Sequence, residues 1–425
     1  MTEPKIRFKR DDGSSFPDWE EITFDSLYEP LNNNTYSRDC LNYENGEAKN
    51  IHYGDILVKF GEICDVQKEE LPFVNDGNLV QKYASLQDGD IILADTAEDE
   101  TVGKAIEMHN VNGENVISGL HTMVCRPRLP FAPKYLGYYM NSSSYHSQLK
   151  PYMQGIKVTS IGRKNIAETM ISYPSDEKEQ QKIADFLSNV DEVIAASEEE
   201  VANLEQQKKA VMQKIFSQEV RFKREDGSDF PDWEEKKLGD ICSKIGSGKT
   251  PKGGKETYTD FGVALIRSQN VLWGRLDLTD VAYIAETINN TMKNSEVKYG
   301  DILLNITGAS IGRVCVFMED IKANINQHVC IIRIENKSIY NQKFILQLLM
   351  SEFLQSQIWL LQNGGSREGL NFQQISNFDI LLPCCEEQQK IADFLTSYDE
   401  AITAAKQELA KWKELKKGLL QQMFV

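Results

Sequence analysis

No apolar run in the 425-residue sequence approaches the roughly 18 residues that a membrane span needs, so a transmembrane helix is not expected. The opening residues, MTEPKIRFKR, contain no apolar core, which speaks against a secretory signal peptide. Histidine is scarce, with five in the chain and none spaced as H-E-x-x-H. The eight cysteines form no C-x-x-C pair and no Cys/His cluster at zinc spacing, so no metal site is expected. They read as scattered buried thiols in a reducing cytoplasm. No D-P-P-Y or N-P-P-Y motif of amino-methyltransferases is present, and no glycine-rich dinucleotide loop.

Positive charge is also short: 47 Lys and Arg stand against 64 Asp and Glu, a net charge of −17. That removes the global basic footprint usual in nucleic-acid binders. The deficit is uneven. Residues 22–174 hold 13 basic and 20 acidic side chains, 175–215 hold 5 and 10, and 240–383 hold 14 of each. Local basic patches therefore remain compatible with the composition. Hydrophobic residues make up 41%, charged residues 26%, and the mean hydropathy is −0.43, values of an ordinary globular protein. The length suggests two or three domains.

What the chain does have is self-similarity. Residues 7–21, RFKRDDGSSFPDWEE, return at 221–235 as RFKREDGSDFPDWEE, identical at 13 of 15 positions. EQQKIADFL at 179–187 returns unchanged at 387–395. The period, near 210 residues, is far longer than a solenoid repeat. Between these blocks the echoes are weaker: GDIILADTAEDETVGK (89–104) aligns with GDILLNITGASIGR (300–313), and His121 sits roughly where His328 does. A repeated framework with unlike inserts suits two domains of one fold facing two different ligands.

After each EQQKIADFL block the apolar spacing is 3.5 for about five heptads. In the first, Leu187, Ile194 and Val201 take a positions, and Ile183, Val190 and Leu204 take d. In the second, Leu395, Ile402 and Leu409 take a, and Ile391, Trp412 and Leu419 take d. Both copies place a lysine, Lys208 and Lys416, at the same a position. Each stretch is expected to be a helix about 60 Å long at 1.5 Å per residue. The two are expected to pack as an antiparallel coiled coil. Block order is circular, since joining Val425 to Met1 would recreate the central junction, and this predicts a pseudo-twofold arrangement.

The segments between read as mixed α/β. Strands are expected at Asp55–Val58, Ile91–Leu93, Ile302–Leu304 and Val329–Ile334, and helices at Tyr135–Met140 and Phe344–Leu349. The domains expected are 1–175, a first recognition domain; 176–216, a central helix; 217–383, a second recognition domain; and 384–425, a second helix.

Two motifs mimic enzymes. Gly248-Lys249-Thr250 resembles the end of a phosphate-binding loop, but Ser243 stands where the first glycine should, and Pro251 blocks the helix that should follow. Pro231-Asp232 with Glu234-Glu235-Lys236 mimics a nuclease set, crowded into one turn. What remains is recognition chemistry. In the second half, Lys249, Thr250, Lys252, Arg267, Asn270, Arg275, Arg313, Asn326, Gln327, Ser366 and Arg367 are candidate DNA contacts. In the first half they are Lys104, His121, Lys157, Thr159, Arg163 and Lys164. Arg suits guanine edges and Asn or Gln suits adenine, while lysines meet phosphates.

Two variable segments, each opened by an RF…G…F-x-x-W-E-E block and closed by an E-Q-x-x-I-A-x-x-L helix, resemble the specificity subunits of type I restriction-modification systems. The resemblance covers essentially the whole chain. It implies a non-catalytic cytoplasmic subunit in which each variable domain reads one half of a split, asymmetric DNA target. It further implies that the helices carry two methyltransferase subunits, which hold S-adenosylmethionine, and that motor-nuclease subunits join them. The alternatives are a free-standing DNA-binding regulator and, at a greater distance, a P-loop enzyme around Lys249. Co-purification of a methyltransferase separates the first from the family reading, and nucleotide binding by the isolated chain would favour the second.

Overall fold

The two heptad stretches form continuous helices, α1 at Glu177–Phe216 and α2 at Cys385–Gln422. The computed structural model describes residues 3–155, 158–363 and 369–425. The chain divides into two units, one of residues 1–198 with 408–425 and one of residues 199–407. Each unit therefore contains part of both helices. Every a and d position from Ile183 to Ile215 and from Ile391 to Met423 is buried or half-buried, as a heptad seam requires.

Ion pairs give the direction of the seam. In the first unit Lys413 Nζ lies 2.6 Å from Glu198 Oε1, and Lys416 Nζ lies 2.6 Å from Asp191 Oδ1. In the second unit Lys208 Nζ lies 2.6 Å from Asp399 Oδ1, and Lys406 Nζ lies 2.6 Å from Glu205 Oε1. Rising numbers on one helix meet falling numbers on the other, so the pairing is antiparallel in both units. The two a-position lysines are thus matched by equivalent aspartates. Asp191 also accepts from Tyr138 Oη at 2.7 Å, and Asp399 from Gln347 Nε2 at 2.7 Å. Lys416 meets Glu62 as well. Burial alone would lower the Lys416 pKa, but Glu62 and Asp191 raise it overall. Its stabilisation is therefore complete through neutral pH and is lost only as pH rises past the ordinary lysine range.

The repeated blocks meet at the start of each helix. Glu179 is fully buried and accepts from Arg7 Nε at 2.8 Å and from Trp19 Nε1 at 3.4 Å. Glu387 is also fully buried and accepts from Arg221 Nη2 at 2.8 Å and from Trp233 Nε1 at 3.1 Å. The next residue closes the joint. Gln180 accepts from Ala132 N and donates to Pro174 O, and Gln388 accepts from Asn341 N and donates to Pro383 O. Phe8 packs edge-on to Phe186 and Phe222 to Phe394, with ring centroids 5.7 and 5.6 Å apart. The W-E-E segments become strands, Trp19–Thr23 against Met170–Pro174 and Glu234–Lys237 against Asp379–Leu382.

The first unit carries a five-stranded sheet in the order Tyr28–Leu31, Thr122–Pro127, Ile91–Ala94, Ala105–His109, Ile63–Asp65. Beside it is a four-stranded sheet, Val116–Ser118, Lys49–Ile51, Phe73–Val74, Leu41–Asn42. The second unit has a four-stranded sheet, Cys242–Ser247, Val329–Ile334, Ile302–Asn305, Val314–Val316. Its five-stranded sheet runs Tyr258–Thr259, Ala282–Ile284, Val263–Ile266, Ala323–Ile325, Glu296–Val297. Both units repeat one more ion pair, Arg126 with Asp90 and Arg333 with Asp301, each at 2.7 Å with a buried aspartate.

The expected helices and three of the four expected strands form. Asp55–Val58 does not become a strand. It lies in a helix, Tyr53–Val58, whose first turn is capped by His52 Nδ1 accepting from Gly54 N at 3.2 Å. A run of four apolar-leaning residues carries no period, and the buried Asp55, paired with Arg38, suits a helix start. Among the described residues no single helix is long and apolar enough to cross a membrane.

One hydrogen bond reports on the circular order. Val220 N donates to Lys214 O at 3.1 Å within one continuous turn. Its counterpart, Ile6 N to Gln422 O at 3.0 Å, joins residues from far-apart stretches of sequence. A permuted chain that starts at Ser217, with Val425 linked to Met1 by a short linker, should therefore fold with an unfolding midpoint close to that of the parent. An insoluble permutant beside a tolerated linker control would contradict this. Replacing Glu387 by Ala leaves a guanidinium and an indole N–H without their acceptor. It should cost about 3 kcal/mol in denaturant unfolding of the second unit, and Glu179→Ala should do the same in the first.

Candidate nucleic-acid interface

In both units the same corner gathers polar side chains. The central strand Ile91–Ala94 runs out into Asp95-Thr96, and Ile302–Asn305 runs out into Ile306-Thr307. A second wall is the turn before the long partner strand, which carries His121 and His328. His121 sits at φ +54°, a left-handed conformation that a tight turn demands. Its Nδ1 lies 3.4 Å from Asp95 Oδ1 and 3.3 Å from Thr96 Oγ1, and the Tyr53 ring stands edge-on 5.3 Å away. In the second unit His328 Nδ1 is hydrogen-bonded to Thr307 Oγ1, and its Nε2 is 3.0 Å from Gln327 Nε2. The amide nitrogen can only donate, so this pairing suits a ring that accepts at Nε2 and donates from Nδ1 to Thr307. Gln327 Oε1 accepts in turn from Thr250 Oγ1.

The third wall is the segment before a short helix. Thr159–Ser160 pairs with Thr96–Ala97, and Ile161 N donates to Asp95 O at 3.0 Å. In the second unit Gly369 bridges Thr307, and Leu370 N donates to Ile306 O at 2.9 Å. Here Ser268, Gln269, Thr307–Ser310, Arg313 and His328 line an open pocket of about 430 Å³.

This corner brings together Thr250, Gln327 and Arg313 in the second unit, and His121 with Thr159 in the first. Lys249 and Lys252 are exposed beside Thr250, and Arg275 is exposed on the loop that also supplies Ser268. Lys249, Lys252 and Arg313 make no ion pair among the described residues, and Arg275 acts only at longer range on Asp277. Arg163 is exposed and donates to Leu31 O at 2.9 Å, with Lys164 exposed next to it. Other candidates are engaged internally. Lys104 Nζ donates to Leu57 O and Phe60 O, and burial pushes its pKa down. Arg267 donates to Asp280 O at 2.8 Å and packs over the Tyr258 ring. Asn270 is buried and donates to Asp277 O and Asp280 O, and Asn326 is buried with Oδ1 accepting from His328 N. These two asparagines brace the loops that present their neighbours. Lys157, Ser366 and Arg367 lie outside the described residues.

Thr96 was not singled out from the sequence, whereas Ser268, Gln269 and Thr307 fall in the stretches 267–270 and 305–313, which read as polar loops rich in bidentate donors. The echo between GDIILADT and GDILLNIT carried the signal for the threonines, since both end the same strand. The Gly248-Lys249-Thr250 segment is no phosphate-binding loop. It leaves the strand Cys242–Ser247 and reaches only a single turn at Gly254–Thr257, so no helix N-terminus faces the glycines.

Comparison with known proteins matches residues 17–206 and 231–412 to the type I restriction modification DNA specificity domain. The chain belongs to this family. Each matched segment begins inside a repeated F-P-D-W-E-E block and ends within a long helix. The MjaVIII specificity subunit of Methanocaldococcus jannaschii is 28% identical over 286 residues, 64% of this chain and 65% of that protein. The putative MjaX specificity subunit of the same organism is 24% identical over 97% of this chain and 94% of its own length. The EcoBI specificity subunit of Escherichia coli is 33% identical over a shorter stretch, 38% of this chain and 35% of that protein. In fold, the chain is similar to the crystal structure of a type I restriction-modification S subunit from M. genitalium. The TM-score there is 0.57 at 16% identity, covering 100% of this chain and 99% of that one.

If Lys249, Lys252 and Arg313 meet phosphates, alanine at all three should weaken binding to every duplex alike. The slope of log affinity against log salt should flatten by about one for each lost contact. Titration of specific and unrelated duplexes at several salt concentrations reads this. An unchanged slope would remove these cations from the interface.

Proposed function

We propose that the chain is the DNA-reading subunit of a type I restriction-modification complex and does no chemistry itself. The observation that carries the reading is the repeated corner: one framework, built twice from the same residues, presents unlike loops at the same place. Unlike loops on like frames suit two different base sequences. Residues 1–175 and 217–383 are then the recognition domains, each docked against one half of an asymmetric split target. The helices at 176–216 and 384–425 set the separation of the halves and carry two methyltransferase subunits. S-adenosylmethionine is held by those subunits, and motor-nuclease subunits join the same cytoplasmic complex.

The polar inventory supports groove reading. Hydroxyls, amides and a guanidinium around His328 offer both donors and acceptors, the mixture that base edges present. The uneven charge fits as well. The surplus acid of 175–215 lies on a helix, and Lys249, Lys252 and Arg313, which make no ion pair among the described residues, lie at the corner of the second unit.

Mapping of methylated adenines in cells that express this chain with its methyltransferase should show one split target. Inserting one heptad after Glu200 and one after Glu408 keeps the a/d register. It lengthens each helix by about 10 Å, at 1.5 Å per residue, or roughly 3 base pairs at 3.4 Å per step. The half-sites should stay the same while the spacer grows. It also turns one half-site by about 100° around the duplex, so activity should fall. An unchanged spacer with full activity would mean that the helices do not measure distance, and the absence of any methylation target would sink the reading itself.

A further inference from the structure

Two exposed apolar side chains occupy equivalent places beside the corner. Trp273 is 52% exposed and Val58 is 88% exposed. Each follows the strand that pairs in parallel within its unit, Val263–Ile266 with Ala323–Ile325 and Lys49–Ile51 with Val116–Ser118. Counting on from Ile266 and Ile51, both lie seven residues later. Each segment opens with the same hydrogen bond, Asn270 N to Arg267 O and Asp55 N to His52 O, both at 2.9 Å, after which the first unit continues as the helix Tyr53–Val58 and the second as a loop. Each tip is tied to the same neighbouring segment. Lys104 Nζ reaches Leu57 O and Phe60 O, while Gly274 N donates to Val314 O, next to Arg313. Lys104 and Arg313 are counterparts in the aligned V-G-K and I-G-R ends.

The tip that bears Trp273 is braced. Leu272 N donates to Arg275 O at 3.0 Å, Val271 bridges Leu276, and Asn305 Nδ2 holds Ser268 O at 2.8 Å. Gly274, at φ +72°, makes the turn possible. The indole is therefore held out from the core by a fixed loop, and binding through it would cost little ordering entropy. The same loop supplies Ser268 and Gln269 to the pocket, and Arg313 lines that pocket one residue from the tip's anchor. Arg275, two residues beyond Trp273, is exposed and makes no close ion pair among the described residues, acting only at longer range on Asp277. An exposed indole on the loop that also lines the pocket with Arg313 offers a flat apolar face beside positive charge, the pairing that stacked bases and their phosphates present.

We propose that Trp273 is a base-contacting residue, its indole lying against the bases of the half-target read by the second unit while Arg275 takes an adjacent phosphate. The proposal rests on the DNA-reading function above and adds an apolar contact to it. Such a contact reads thymine methyls or an easily unstacked step, which hydrogen-bonding side chains read poorly.

The test uses the full chain co-purified with its methyltransferase, and duplexes carrying the target mapped from methylation. Trp273→Ala should lose roughly tenfold or more in affinity for the target duplex. It should differ little from the parent on a duplex whose second half-site is scrambled. Its salt slope should be unchanged, and Trp273→Phe should retain most of the affinity. Arg275→Ala should weaken both duplexes alike and lower the slope. Full target affinity in Trp273→Ala would overturn the proposal. So would a loss of methyltransferase from the purified complex with DNA discrimination intact, which would make the tip a protein contact. A parent chain that cannot tell the two duplexes apart would fail the DNA-reading function itself, and this role with it.

Discussion

Each unit depends on a buried carboxylate at the start of a long helix. Glu179 and Glu387 have no access to water, and a bare charge in such a place would be prohibitive. A guanidinium and an indole N–H, both from the opening segment of its domain, neutralise and satisfy each one. Removing water from such a pair costs about as much as the pairing returns, so its main effect is geometric. Only one placement of the R-F-K…W-E-E segment satisfies the glutamate, the two ring contacts and the strand pairing together. The frame is thereby fixed, and the corner loops are free to differ.

A second constraint acts along the helices. A lysine at an a position is costly unless a carboxylate faces it, and Lys208 and Lys416 each find one in the equivalent aspartate. Sliding the helices by one heptad would set Lys208 opposite Ala392 or Lys406, and neither could replace Asp399. The polar positions therefore hold a register that an all-leucine seam would leave loose. Glu62 gives Lys416 a second carboxylate, which ties the first unit's recognition fold to its helix more firmly.

Much of this was legible in the residues. Identity between the blocks located the frame, because the same buried contacts must be made twice. Heptad spacing located the helices, because about five heptads of consistent period leave little ambiguity. The loops were harder to read. Asp55–Val58 offered four residues without a period, and its helix is decided by the cap from His52 just before it and by Arg38, which only the fold brings near. Asn270 and Asn326 have the side chains of base readers, yet burial commits them to bracing neighbouring turns. Thr96 and Thr307 carry no obvious chemistry alone and gain it from the histidine that the fold sets beside them. Burial and partner choice belong to the tertiary structure, and the sequence pattern does not encode them locally.

The division of the chain into units has a consequence for how it is made. The second unit is one uninterrupted stretch, residues 199–407, whereas the first needs residues 408–425 to complete its seam and its core. Phe424 closes that core against Tyr135 and Tyr139. As the ribosome releases the chain in order, the half that emerges first must wait, its tyrosine-lined core open, until the other half is out. The later half has all of its residues once 407 is out, before the first half has its last helical stretch. Vectorial synthesis thus reverses the order of completion, and the open interval exposes the first unit, and not the second, to chaperones and proteases.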